Sequence, residues 1–226
     1  MIEKSIGMIL FLFIVIGALE TKNSNASIAL PKPTLDGEVS LEKAVRERRT
    51  IRDFRERPLS LKYLSQLLWA AQGITDPTTG KRAAPSGGAL YPLDIYILVG
   101  ENGVEGMEAG VYRYSPKEHS ISTTLKGDRR REISSASFSQ MWMAKAPIIF
   151  IITAEYKRVT GKYGERGVRY ALIEVGHASE NLFLEAEALG LGAGIVGAFN
   201  DSEVSKVAGL PPKHEPLLIV PIGYKR

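Results

Sequence analysis

Arg48, Arg49 and Arg52, with Thr50 between them, gather three permanent positive charges around one hydroxyl. A guanidinium stays ionised across the physiological range, and its planar fork matches two oxygens of a phosphate, so a phosphorylated ligand is its natural counterpart. The simpler reading is a solvated basic run that complements the dipole of a helix end. A second segment, Arg82-Ala83-Ala84-Pro85-Ser86-Gly87-Gly88-Ala89-Leu90-Tyr91-Pro92, sets a basic residue, a hydroxyl and two glycines ahead of an apolar run. Such a loop lets the backbone approach a planar ligand closely, and Ser86 can bond it through its hydroxyl or its amide. Taken alone, Pro-Ser-Gly-Gly is also an ordinary turn. A third segment, Gly176-His177-Ala178-Ser179-Glu180-Asn181 leading into Leu189–Phe199, reads as a helix closed by glycine and a short buried strand whose last glycines bare their amides.

The elements that must position these groups follow from periodicity. Ser40 is an N-cap for a helix whose apolar face is Leu41, Ala44 and Val45 and whose far end carries the arginines. A second helix starts at Ser60, runs through Leu61, Leu64, Leu67, Leu68 and Ala71, and stops at Gly73, with Trp69 expected in the core. Residues 93–99 and 147–153 read as buried strands, and Val111–Tyr114 with Ser120–Ser122 as a hairpin around Pro116 and Lys117. Asp128 is expected to cap a basic helix whose Arg129, Arg130 and Arg131 are solvated. A long helix spans about Arg166 to Leu189, with Val168, Ala171, Leu172, Val175, Ala178, Leu182 and Ala186 near helical spacing. Asp201 caps a short helix over 202–208, and Leu217–Val220 is a final strand.

The N-terminus is a separate unit. Lys4 precedes an almost unbroken apolar run from Ser5 to Leu19, shorter than the roughly twenty residues that span a bilayer and closer to the apolar region of an export signal. Ser24-Asn25-Ala26 offers small residues for cleavage after Ala26. The alternatives are an uncleaved anchor, with Glu20–Pro33 as a polar tether and membrane association through this end, or a buried core helix. The expected organisation is therefore a signal peptide or membrane anchor at 1–26, a linker at 27–38 and one catalytic domain at 39–226, exported or membrane-anchored.

The three chemical segments, in this order and over Val39 to Tyr224, resemble the FMN-dependent nitroreductase family, and most closely its branch related to the SagB-type azoline dehydrogenases. The resemblance implies an α+β fold with a central, mainly antiparallel sheet flanked by helices, in an interwoven homodimer with FMN at the subunit interface and the long helix at its heart. It implies that Arg48 and Arg49 hold the phosphate and ribityl region, that Thr50 bonds one of them, and that Arg52 approaches the pyrimidine edge of the ring. A fixed cation at that edge stabilises the negative charge left by two-electron reduction. Pro85, Ser86, Gly87 and Ala89 would come from the partner subunit, and Gly197 and Ala198 would supply backbone contacts near N5 and O4. Family members commonly continue past a Gly-Tyr pair to a basic phosphate-gripping residue; this chain ends there, so Lys225 or Arg226 would take that role. Lys162-Tyr163 resembles the pair that azoline dehydrogenases use for acid–base chemistry. A tyrosine titrates near pH ~10 and needs help to act as a base, which an adjacent lysine can give. The competing reading is a surface loop. His177 is expected to be a buried structural histidine, or to orient a neighbouring backbone group.

Composition narrows the function. With 226 residues, 44% hydrophobic and 24% charged, the chain can bury a full core. The net charge of +4 is spread among acids with no basic stripe, which argues against nucleic acid. Absence of cysteine excludes disulfides, thiolate catalysis and iron–sulfur clusters, and His119, His177 and His214 lack metal-ligand spacing, so no metal site is expected. No Gly-x-Gly-x-x-Gly follows a strand, as expected if a nicotinamide donor only stacks on a flavin. The expectation is an FMN-dependent oxidoreductase passing hydride from NADH or NADPH to a small-molecule acceptor such as a nitroaromatic or quinone by a ping-pong mechanism. A SagB-type azoline peptide dehydrogenase and a non-catalytic flavin-binding protein are the alternatives.

Overall fold

The computed structural model describes residues 27–226. The segment read as a signal or anchor lies outside the described residues. The chain runs through β1 (Ser27–Ala29), α1 (Leu41–Glu47), α2 (Leu61–Gln72), β2 (Ile74–Asp76), β3 (Lys81–Arg82), β4 (Leu93–Val99), β5 (Gly110–Ser115), β6 (Ser120–Lys126), α3 (Arg130–Ala136), β7 (Ile148–Ala154), α4 (Lys157–Tyr163), α5 (Arg166–Ala188), β8 (Leu191–Ala193), α6 (Asp201–Ala208) and β9 (Glu215–Tyr224). A seven-stranded sheet ordered β1-β6-β5-β4-β7-β9-β8 forms the centre, and every neighbouring pair in it is antiparallel. This is the α+β architecture expected.

Helices cover both faces of the sheet, which is why β4 and β7 read as nearly unbroken apolar runs and are buried throughout. Side chains alternate along β4. Ile95, Ile97 and Val99 pack with Leu64, Leu67 and Leu68 of α2 and with Ala171, Ala178 and Leu182 of α5. Tyr96 and Leu98 point the other way, toward Ile133 of α3 and Val204 and Ala208 of α6. Leu68 is fully buried, so Leu68→Ala should cost about 2–5 kcal/mol in lost transfer energy and cavity.

Local signals set the helix ends. The Ser40 and Ser60 hydroxyls accept from the amides of Lys43 and Tyr63, each at 3.2 Å. A Cβ at Gly73 would stand 2.4 Å from Trp69 Cδ1, so only glycine lets the chain leave α2 there. Several expectations are corrected. Trp69 is only half buried and lines a surface groove rather than the core, because it faces away from the sheet. Asn200, not Asp201, caps α6, its Oδ1 accepting from Glu203 N at 3.0 Å. Asp128 does accept from the Arg130 amide, but Arg130 is not solvated: its guanidinium pairs with Asp128 at 2.6 Å and donates to Ala146 O at 2.7 Å. Within residues 27–38, β1 pairs with β6 and Leu30 is 8% exposed. Leu172 and Ile173, on the outer face of α5, are 51% and 49% exposed.

Candidate active site

The basic segment leaves α1 at Arg48 and is stitched to the sheet at β8 and β9. Ile51 N donates to Ala193 O at 2.9 Å, Thr50 bridges Ala193, and Arg55 N donates to Tyr224 O at 3.0 Å. The two glycines there are needed for close approach. A Cβ on Gly192 would meet Ile51 at 2.7 Å, and one on Gly194 would meet the Trp142 ring at 2.6 Å. Arg48 lies over the Phe183 ring at 5.6 Å and Arg52 over the Trp142 ring at 5.8 Å. Among the described residues neither makes an ion pair. Arg49 behaves differently: its Nη1 donates to the carbonyls of Arg46 and Arg48 at 2.8 and 2.7 Å, so part of its fork satisfies the end of α1.

Two further groups bear on this edge. Val196 and Ile219 exchange backbone hydrogen bonds of 2.9 and 3.0 Å, which leaves Gly197 and Ala198 exposed beyond them, Gly197 with open space where a Cβ would stand. Gln140 Nε2 donates to Ala198 O at 3.1 Å. At the C-terminus the Lys225 ammonium sits 2.6 Å from both Glu187 oxygens, so its charge is already neutralised, while Arg226 approaches Asp53 only to 3.8 Å. Of the two C-terminal candidates, Arg226 is the freer cation.

The glycine loop forms a separate group. Ser86 Oγ accepts from Tyr91 N at 2.9 Å and Ser86 O from Ala89 N at 3.1 Å. Gly88 has φ +66°, and Ala89 and Tyr91 hold φ +54° and +47°, where side chains cost about 1–2 kcal/mol each, so the loop must be held from outside. α4 and α5 supply that support. A Cβ on Gly88 would stand 2.6 Å from Tyr163 Oη and 3.2 Å from Lys162 Nζ, and one on Gly87 would stand 3.4 Å from Tyr170 Cβ. Tyr163 meets Tyr170 edge-on at 5.1 Å. Lys162 and Tyr163 therefore converge on the loop instead of lying in a detached surface turn. His177 is exposed, not buried, and its Nδ1 lies 3.3 Å from Pro85 O, so it braces the loop backbone.

Along α5 the two groups are far apart. Tyr170 touches the glycine loop and Phe183 touches Arg48, thirteen residues later on one helix, a separation of about 20 Å at 1.5 Å per residue. The two groups of candidate residues thus lie apart on one chain and do not form one closed pocket.

Sequence reasoning missed Trp142, Gln140, Phe183, Tyr170 and Glu174. Only Glu174 left a linear signal, as an acid on the apolar stripe of α5 between Ala171 and Ala178. The fold also joins Asp94, Glu155 and His214, whose ligand atoms lie within 4.8 Å of one another. Arg158 already stands between the carboxylates, 2.7 Å from each, with Arg113 2.6 Å from Asp94 and Lys213 3.1 Å from Glu155. A divalent ion would meet three resident cations there. His214 Nδ1 lies 2.8 Å from the Tyr96 hydroxyl; burial lowers the histidine's pKa and pushes the phenol up to about 12. The network anchors α4, and Arg158 Nη1 reaches on to Tyr91 O at 3.3 Å.

A profile of the nitroreductase family matches residues 45–224. MJ1384 of Methanocaldococcus jannaschii, a nitroreductase by name, is 45% identical over 188 residues, 83% of this chain and 92% of its own. The microcin B17-processing protein McbC of Escherichia coli is 29% identical over 167 residues, 72% of this chain and 61% of McbC. Among solved structures, a protein of Ralstonia eutropha described as a nitroreductase superposes with a TM-score of 0.77 at 29% identity, over 88% of this chain and 90% of that one.

Proposed function

The chain belongs to the nitroreductase family of oxidoreductases, and we propose that it is a homodimeric, FMN-dependent enzyme transferring hydride between small molecules. The observation that carries the reading is the pair Arg48 and Arg52, cations without ion-pair partners among the described residues, on a backbone fastened to Ala193 and Tyr224. These residues fit the group. Arg48, with the remaining donors of Arg49 and with Thr50, would hold the phosphate and ribityl chain. Arg52, backed by Trp142, would face the pyrimidine edge, and the amides at Gly197 and Ala198 would bond the ring's polar edge. Bound FMN would supply the redox chemistry, taking hydride from NADH or NADPH and passing it to an acceptor such as a nitroaromatic or quinone in a ping-pong cycle. The 20 Å gap between the two groups supports a site completed by Pro85, Ser86, Gly87 and Ala89 of a second copy, with the exposed Leu172 and Ile173 on α5 as part of the shared surface.

The test is direct. The purified protein should be yellow, release a chromophore with the mass of FMN, and reduce menadione or nitrofurazone with NADH or NADPH. A colourless protein that takes up no added FMN would refute the proposal.

A second reading is favoured by one observation, the convergence of Lys162 Nζ and Tyr163 Oη on Gly88. Lys162 Nζ stands 5.3 Å from the Tyr163 ring, which places the two side chains together for proton transfer during aromatisation of an azoline peptide. In that reaction the substrate is itself the hydride donor. An exported location, where nicotinamide dinucleotides are scarce, would fit that arrangement.

A further inference from the structure

Glu174 lies on the inward face of α5, four residues beyond Tyr170, and is 1% exposed. A carboxyl so deeply buried needs partners for its charge or its proton. Its Oε1 accepts from Gln72 Nε2 at 3.3 Å, and Gln72 Oε1 in turn accepts from Arg82 Nη1 at 3.2 Å. Its Oε2 is buried without a hydrogen bond. The chain of contacts continues into the glycine loop. The Arg82 guanidinium stacks over the Tyr91 ring at 4.3 Å, Arg82 N donates to the Tyr91 hydroxyl at 3.1 Å, and Tyr91 N donates to Ser86 Oγ at 2.9 Å. Contacts thus run from Glu174 through Gln72, Arg82 and Tyr91 to Ser86.

We propose that Glu174 is a positioning residue: with Gln72, Arg82, Tyr91 and Ser86 it forms a latch that holds the Pro85–Ala89 loop with Gly88 facing Lys162 and Tyr163. The positive φ angles at Ala89 and Tyr91 give such a latch strain to hold, alongside the support from Tyr163, Tyr170 and His177. Burial pushes the Glu174 pKa up, and Ser86, Gln72, Arg82 and His177 offset only part of that rise. The catalytic meaning of the latch rests on the proposed function of the loop; the latch itself does not.

Hydrogen exchange on the full chain separates the two. In Glu174→Ala, the amides of Ala89 and Tyr91 should exchange at least ~10-fold faster than in the wild type while those of β4 are unchanged, and Glu174→Gln should give a smaller increase, since an amide can still accept from Gln72. Arg82→Gln breaks the chain of contacts from the loop side and should speed exchange at Tyr91 even if the Glu174 variants fold poorly. With FMN occupancy equal to that of the wild type, kcat should fall about 10-fold in Glu174→Ala with little change in the KM of the acceptor, and recover partly in Glu174→Gln. Loop exchange unchanged in Arg82→Gln and in whichever Glu174 variants fold, or raised no more than that of β4, would overturn the latch. A wild-type chain that takes up no FMN would count against the proposed function alone and leave the exchange comparison to decide.

Discussion

Replacing Gly88 by alanine tests the contact between the glycine loop and the Lys162–Tyr163 pair, and Gly80 supplies its control. Both glycines have positive φ, +66° and +70°, but a Cβ at Gly80 finds nothing within 4 Å, whereas one at Gly88 stands 2.6 Å from Tyr163 Oη. Gly80→Ala should therefore cost only the left-handed backbone penalty, about 1–2 kcal/mol. Gly88→Ala carries the same penalty and must also push the Tyr163 hydroxyl back by roughly 0.8 Å to reach an ordinary contact near 3.4 Å. Tyr163 has little room to give, since its ring rests edge-on against Tyr170, so overpacking adds about 1–3 kcal/mol. Urea unfolding should place Gly88→Ala about 2–5 kcal/mol below the wild type and Gly80→Ala about 1–2 kcal/mol below it. At matched FMN occupancy only Gly88→Ala should impair turnover. Equal destabilisation of the two variants, with turnover intact in both, would show that Tyr163 does not rest on the loop.

Three other outcomes are expected. Arg48→Ala and Arg52→Ala should each weaken FMN by about 1.5–3 kcal/mol for a lost charge-assisted hydrogen bond; Arg48→Ala should spare riboflavin, which lacks the phosphate, and Arg52→Ala should lower the flavin potential, so identical titrations in all three proteins would sink the assignment. Tyr163→Phe should keep FMN bound and menadione reduction within a few-fold of wild type, yet abolish azoline oxidation if the second reading holds, a missing acid or base costing about 10²–10⁴-fold; an azoline peptide oxidised equally by both proteins would reject Tyr163 as the proton-transfer group. Ile173→Asp puts a charge on the exposed apolar face of α5 and should yield a sedimenting monomer that loses its flavin, whereas a flavin-loaded monomer would contradict a shared site.

Most of the scaffold was legible because its signals are local. Serine caps at Ser40 and Ser60, the apolar periods of α2 and α5, and the doubly buried runs of β4 and β7 each follow from contacts within a few residues or from a whole face being covered. The misreadings have longer-range causes. Arg130 was expected in solvent because nothing adjacent in sequence shows that Ala146 O waits for it sixteen residues on. Trp69 looked like core because its size favours burial, yet its face of α2 points away from the sheet. In the site, the residue types of the basic segment and the glycine loop could be read directly. Their backing by Trp142, Phe183 and Tyr170, and the neutralisation of Lys225 by Glu187, depend on which helix passes behind them.

Pairing of Ser27, Ile28 and Ala29 with Ser122, Ile121 and Ser120 fixes the reach of the domain. A free segment over residues 27–38 would be a leash of up to about 40 Å, from roughly 3.3–3.6 Å per residue, letting the domain swing independently of its attachment. With its first three residues hydrogen-bonded along the margin of the sheet, that leash has no slack at its start. If the chain is held through its N-terminal segment, β1 sets the point on the sheet margin at which that hold is applied.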